Sequence, residues 1–217
     1  MGSRSARRES FPIQVIMAKK IIAIVGSYRK NGIIDSAVDA ILSAAAEQGA
    51  LAEKIYLIDQ HIEFCTNCRT CTQAPGPQRG RCIREDGLDL LLARIEQADG
   101  LVIGSPTNFF NVTAVTRRFI ERLVCFACWP WGQKGPAMRS KDKRKQAVLV
   151  TSSAMPALLA KFFTGSLRIL KITAETLGAK PIGTLSIGMA ALAERQELPP
   201  AIVEKARKLG HRLGSAS

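Results

Sequence analysis

The passage from Lys20 to Gly49 constrains this chain more than any other. Lys20-Ile21-Ile22-Ala23-Ile24-Val25 is an unbroken, largely β-branched run that stops at Gly26. A strand without polar alternation has both faces covered, which is the habit of parallel sheets. Residues 35–48 then set Ala37, Val38, Ile41, Leu42 and Ala45 on one helical face, and Gly49 follows as a helix-ending glycine. A buried strand, a polar turn and an amphipathic helix make the opening half of a βαβ unit.

The same alternation runs to the end. Residues 52–58 read as a second strand, and 60–85 as a long loop rich in Cys, Pro and Gly. Residues 86–98 read as a helix with Leu88, Leu91, Leu92 and Ile95 inward, and 100–104 as a third strand. Helices are expected at 111–126 and 157–177, with strands at 147–150 and 182–187. A last helix opens at Pro199-Pro200 and runs through Leu213. Five strands separated by helices predict one parallel sheet covered on both faces. The 217 residues suit a single domain over 18–217. Residues 1–17 are read as a disordered basic tail outside the fold, or as an extension upstream of a true start at Met17.

Composition excludes several classes of function. No apolar run approaches the ~20 residues of a membrane span, and the N-terminus lacks a secretory core, so a cytoplasmic protein without a membrane partner is expected. The formal charge of +13 raises nucleic acid as a partner. Its distribution argues against one, because the excess gathers in the tail and in residues 134–145. That stretch, with Arg139, Lys141 and Lys143, reads as a solvated loop, or as a contact for an anionic nicotinamide cofactor or acidic partner.

An open parallel sheet binds ligands beyond the carboxyl ends of its strands. The turn Gly26-Ser27-Tyr28-Arg29-Lys30-Asn31-Gly32 lies there. Ser27 offers a hydroxyl, Arg29 a planar cation suited to phosphate, and the helix start adds free amides and a positive dipole end. Ser36 offers a further hydroxyl or a cap. The spacing matches neither the Walker loop nor the dinucleotide fingerprint.

This turn resembles the Gly-Ser-x-Arg-x-x-Gly turn of the NADPH-dependent FMN reductase family, which has the flavodoxin-like fold. Gly104-Ser105-Pro106-Thr107-Asn108-Phe109-Phe110-Asn111-Val112, followed by Phe119-Ile120-Glu121-Arg122, is similar to a second family segment. The resemblance implies a three-layer α/β sandwich with strand order 2-1-3-4-5. It implies FMN as cofactor, with its phosphate over Ser27, Arg29, Asn31, Gly32, Ile33, Ile34 and Ser36. Pro106, Thr107, Asn108, Phe109 and Phe110 would line the flavin, with Thr151 and Ser152 at the ring edge. Ile34 departs from the family, where threonine is frequent. Of the two phenylalanines, one is expected in the core and one at the site.

Cys65, Cys68 and Cys71 stand three apart, and Cys82 follows after a long gap. Thiolates so spaced can converge on one [4Fe–4S] cubane. A zinc or redox-dithiol site, or unligated thiols, are the other readings. The run resembles the iron–sulfur flavoproteins, whose cysteines occupy this loop of the same fold. Cys125 and Cys128, beside Trp129 and Trp131, read as packing residues at a helix end. The two tryptophans read as an interface or a cover over the flavin.

The only histidines are His61 and His211, and no carboxylate pair stands out, so a bound cofactor is expected to do the chemistry. The reading is an oxidoreductase. NAD(P)H would supply electrons for a small-molecule or protein acceptor such as a quinone, a flavin, a metal ion or a nitro compound. An iron–sulfur electron carrier between protein partners is the alternative. Family members commonly form dimers, so a homo-oligomer is implied.

Overall fold

The computed structural model describes residues 18–215, so the reading of 1–17 lies outside the described residues. The elements in chain order are β1 (Lys20–Val25), α1 (Ile33–Ala46), β2 (Leu51–Tyr56), α2 (Leu88–Glu96), β3 (Gly100–Asn108), β4 (Asn111–Val112) and α3 (Ala114–Arg122). Then come β5 (Ala127–Cys128), β6 (Ala137–Met138), β7 (Lys145–Ser152), α4 (Ala157–Phe163), α5 (Ser166–Thr176), β8 (Ala179–Ile187) and α6 (Pro200–Gly214). The main sheet runs β2-β1-β3-β7-β8, with every neighbouring pair parallel. This is the flavodoxin-like order expected from the sequence.

Alternation along the strands splits the core in two, because successive side chains point to opposite faces. Ile22, Ile24, Leu101, Ile103 and Leu149 pack with α2, α3 and α5 on one face. Ile21, Ala23, Val25, Val102, Val148 and Val150 pack with α1 and α6 on the other. Each fully buried side chain of this kind contributes about 1.5–3 kcal/mol. The helices α1 and α6 touch at Gly210, where a Cβ would lie 2.2 Å from the Ile41 carbonyl oxygen. Only glycine permits that approach.

Two expected helices are broken. Residues 111–126 hold β4, then α3, then a 3₁₀ turn over Leu123–Phe126. Thr113 starts α3 by accepting from the Thr116 amide. Residues 157–177 divide into α4 and α5 because Thr164 turns extended. There the Gly165 amide donates to the Phe110 carbonyl at 2.8 Å, docking the break on the turn between β3 and β4.

Candidate functional site

The carboxyl ends of β1, β3 and β7 meet at one edge. The Gly26 amide donates to the Gly104 carbonyl at 2.7 Å, so the chain leaves β1 pressed against β3. A Cβ on Gly26 would lie 1.8 Å from Thr116 Oγ1, and no side chain fits. Below the turn, Thr113 Oγ1 donates to the Gly26 carbonyl at 2.6 Å. It also lies 2.7 Å from Thr116 Oγ1, whose hydroxyl donates to Ser105 Oγ at 3.2 Å. Ser105, Thr113 and Thr116 are buried, so this hydroxyl network fixes the first loop against the third. The sequence reading missed Thr113 and Thr116. Two threonines after an aromatic turn, just before a helix, were the available signal.

The first turn is folded on itself. The Arg29 amide donates to Ser27 Oγ, and that hydroxyl donates to the Arg29 carbonyl, both at 3.1 Å. Ser27 thereby shapes the loop. Arg29 is exposed, its Nη1 3.5 Å from the Glu194 carbonyl in the segment after β8. Tyr28 accepts from the Val115 amide through its hydroxyl at 3.2 Å, a second tie to α3. Asn31 is left-handed, at φ 60°. Its amide donates to Asp35 Oδ2 at 2.5 Å. Gly32 precedes α1, and no side chain caps the helix, so its first amides face the edge free of a capping oxygen. Ile33 is half-buried. Ile34 is core, packed on Gly104, and Ser36 is half-buried with its amide bonded to Gly32. From Ile34 only the backbone is left for a ligand.

Asp35 is wholly buried beside this turn. Its carboxylate accepts from Lys54 Nζ at 2.7 Å and from the Tyr56 hydroxyl at 2.9 Å. Burial pushes its pKa up, but the Lys54 ammonium, the Asn31 amide and the Tyr56 hydroxyl together hold it below the usual carboxylate range. Lys54, bonded to Asp35 and Asp39, is correspondingly raised.

The third loop is a two-residue hairpin. Asn108 pairs with Asn111 across β3 and β4, leaving Phe109 and Phe110 as the turn. Both are left-handed, at φ 47° and 64°. They are 98% and 60% exposed, so neither is core, against the expectation that one would be. At the tip of this two-residue turn both side chains stand out from the domain. Thr107 Oγ1 lies 2.9 Å from Ser166 Oγ and 3.4 Å from Thr151 Oγ1. Pro106 pairs with Ser152 in the sheet, and Thr151 and Ser152 are buried at its rim. The structure thus gathers the first loop, the hairpin and the end of β7 along one edge, as the sequence implied.

A second cluster lies in the cysteine loop. Cys65, Cys68, Cys71 and Cys82 line one cavity together with Arg69, Arg84 and Arg122. Hydrogen bonds from Thr70 lower the Cys68 pKa, while burial and the neighbouring Cys82, Cys65 and Cys68 raise that of Cys71. Cys125 is buried beneath and pushed up to about 12, chiefly by desolvation. Among the described residues no three metal-ligating side chains converge on a single-ion point. A cubane asks for something different, one thiolate at each of four separated corners. The donor set and its guanidinium surroundings suit such a group.

Two arginines fasten this loop. Arg122, at the end of α3, donates to Asp86 Oδ2 at 2.6 Å and to the Glu63 carbonyl at 2.8 Å, joining the loop's two ends. Arg139 donates to the carbonyls of Cys125, Gly76 and Cys71. The basic stretch therefore spends Arg139 on the cysteine loop. Its Lys143 pairs with Glu175, and Lys145 begins β7, at the opposite edge of the sheet from the first turn. His61 is exposed, and its carbonyl accepts from the Gly87 amide. His211 lies at the surface 2.8 Å from Glu47. The rings of Trp129 and Trp131 close over Arg69.

The sheet order, with a glycine turn at its carboxyl edge, defines a flavodoxin-like protein. Residues 19–161 match the NADPH-dependent FMN reductase family, and the chain belongs to it as an oxidoreductase. It is 28% identical over 197 residues to an iron-sulfur flavoprotein of Archaeoglobus fulgidus, covering 91% of this chain and 80% of the relative. It is 34% identical over 103 residues to an iron-sulfur flavoprotein of Methanocaldococcus jannaschii, covering 48% of this chain and 51% of that one. The azoreductase from Bacillus anthracis str. Sterne superposes with a TM-score of 0.66 at 16% identity, covering 90% of this chain and all of that one. Among the described residues no helix is long and apolar enough to cross a membrane.

Proposed function

We propose that the protein is an FMN-dependent oxidoreductase that takes electrons from NAD(P)H and passes them to an acceptor. The carrying observation is the edge built by Gly26. That glycine has no room for a side chain, lies against β3, and leads into a helix whose first amides lack a side-chain cap. Anions are stabilised at such an N-terminus. Arg29 supplies an exposed cation for a phosphate, and Ser27 holds the turn in shape. Bound FMN supplies a two-electron acceptor that also releases electrons singly. The residues around it bind, orient and shield: the Thr107 and Thr151 hydroxyls stand at the rim, and Phe109 and Phe110 project beside them. The acceptor class is a quinone, a flavin, a metal ion or a nitro compound.

An anaerobic absorption spectrum of the purified protein, before and after NADPH or NADH, tests this reading. Flavin bands bleached by the nucleotide support it; a colourless protein that binds no FMN overturns it. Arg29→Ala is expected to weaken FMN retention, and unaltered flavin content refutes the phosphate assignment.

A second reading concerns the cysteine loop, where four thiols share one cavity with three arginines. Cys65, Cys68, Cys71 and Cys82 would hold a [4Fe–4S] cluster passing single electrons between flavin and a protein partner. The names of the two archaeal relatives favour it. Iron and sulfide analysis after anaerobic purification decides it. Free thiols suit a reducing compartment, and we assign the protein to the cytoplasm. The exposed Leu158, Phe162 and Phe163 of α4 favour a homo-oligomer, which light scattering measures directly.

A further inference from the structure

Arg69 stands between Cys68 and Cys71 and is the most elaborately held side chain of the loop. Its guanidinium carbon lies 3.8 Å from the Trp129 ring centroid and 4.1 Å from that of Trp131. Nη2 donates to the Trp129 carbonyl at 2.6 Å. The Arg69 carbonyl accepts from the Thr72 amide at 2.9 Å, from Thr72 Oγ1 at 2.8 Å and from Gln73 Nε2 at 3.1 Å. In return, the Trp129 amide donates to the Thr72 carbonyl at 2.8 Å and the Trp131 amide to Gln73 Oε1 at 3.0 Å. The backbone is left-handed at φ 61°, uncommon for a residue with a long side chain.

The charges around the cavity are unequal. Arg84 pairs with Glu63, and Arg122 with Asp86. Among the described residues no carboxylate lies within ion-pair distance of Arg69, and its buried Nε has no hydrogen-bond partner. A guanidinium stacked between aromatic faces and bonded to carbonyls keeps its full positive charge. It is the one cation on this wall, among the described residues, left without a counter-ion.

We propose that Arg69 is a positioning residue with an electrostatic task. It locks the cysteine loop to the segment from Trp129 to Trp131, and it places an unpaired cation in the lining of the cavity that the four cysteines share. A redox group held by those thiols is then easier to reduce, because a nearby cation favours the state carrying the extra electron. The electrostatic half rests on the cluster reading above; the clamp does not. Lysine preserves the charge but lacks the flat fork that fills the space between two indoles.

The test uses the full chain, purified anaerobically, with Arg69→Met and Arg69→Lys as variants. In an EPR-monitored reductive titration, Arg69→Met is expected to lower the cluster's potential by about tenfold in its one-electron equilibrium constant, ~59 mV. Arg69→Lys is expected to retain most of it. Tryptophan emission of the purified proteins is expected to shift to the red in both variants, as the indoles lose their planar partner. An unchanged potential in Arg69→Met overturns the electrostatic role, and unchanged emission overturns the clamp. Wild-type protein free of iron and sulfide overturns the cluster reading and the electrostatic role with it, while emission still decides the clamp.

Discussion

The Thr113 hydroxyl donates to the Gly26 carbonyl at 2.6 Å, across 87 positions of sequence. That bond joins the turn after β1 to the start of α3, and the Thr116 amide donates back to the same hydroxyl at 3.3 Å. Thr113→Val keeps the shape and takes this hydroxyl away from the Gly26 carbonyl, the Thr116 amide and the Thr116 hydroxyl. Leaving buried polar groups unpaired costs about 1–3 kcal/mol. Denaturant unfolding is expected to show that loss, and flavin fluorescence to show weaker FMN retention. Wild-type values for both would mean that the network is not what holds the turn.

The hairpin tip makes the opposite prediction. A two-residue turn with both φ values positive favours Asn-Gly, whereas this chain places Phe109 and Phe110 there. Bulky residues in that region are strained by about 1–3 kcal/mol each. Phe109→Asn combined with Phe110→Gly is therefore expected to raise the unfolding midpoint and to impair electron transfer to the acceptor. A stabilised, slower enzyme would show that the strain serves the site; a destabilised one would show that the aromatic rings are packing residues.

Much of the fold was legible because its signals are local. An apolar run ending at Gly26, helical periodicity up to Gly49 and the Gly104-Ser105-Pro106 segment each carry their meaning within a few residues. The parallel sheet followed from the same alternation, and its strand order from the resemblance to the FMN reductase family. The hydroxyl network was not legible, since Thr113 and Thr116 reach the Gly26 carbonyl, and Ser105 meets both threonines, only once β1 and β3 lie side by side. Ser27 was recognised by type, but its hydroxyl is turned onto its own loop. The helix over 157–177 was over-read because its apolar periodicity continues through Thr164 and Gly165, while the hairpin that interrupts it lies elsewhere in the chain. Arg69 between two indoles likewise needs the fold to bring residues 69 and 129 together.

Asp35 gives the site a pH signature. Its folded pKa is held below the usual aspartate value, and an unfolded aspartate titrates near ~3.9. A depressed carboxylate contributes stability above its unfolded pKa, and that contribution is lost as pH falls through the folded value. Asp35→Asn removes the charge partner of Lys54, which keeps Asp39 at 2.7 Å. The variant is expected to be less stable at neutral pH by about 1.5–3 kcal/mol, the range for hydrogen bonds to charged groups. The gap between variant and wild type should stay level down to roughly pH 4 and close below it. Urea melts at stepped pH values measure this directly, and a gap independent of acid would assign the effect to packing.

Arg122 and Asp86 form a pair whose side chains are both 1% exposed. Removing one partner of such a pair leaves a buried charge and typically costs about 3–5 kcal/mol, whereas replacing both with apolar residues is far less damaging. Arg122→Met alone is expected to show that larger loss, and Arg122→Met with Asp86→Leu to recover part of it. Recovery is limited because Asp86 also accepts from the Glu63 and Leu88 amides, which the leucine cannot satisfy. A double-mutant cycle by chemical denaturation reads the coupling. Hydrogen exchange over residues 63–86 should rise in both variants, since this pair holds the two ends of the cysteine loop together. Protection equal to wild type would place the loop's anchorage at Arg139 instead.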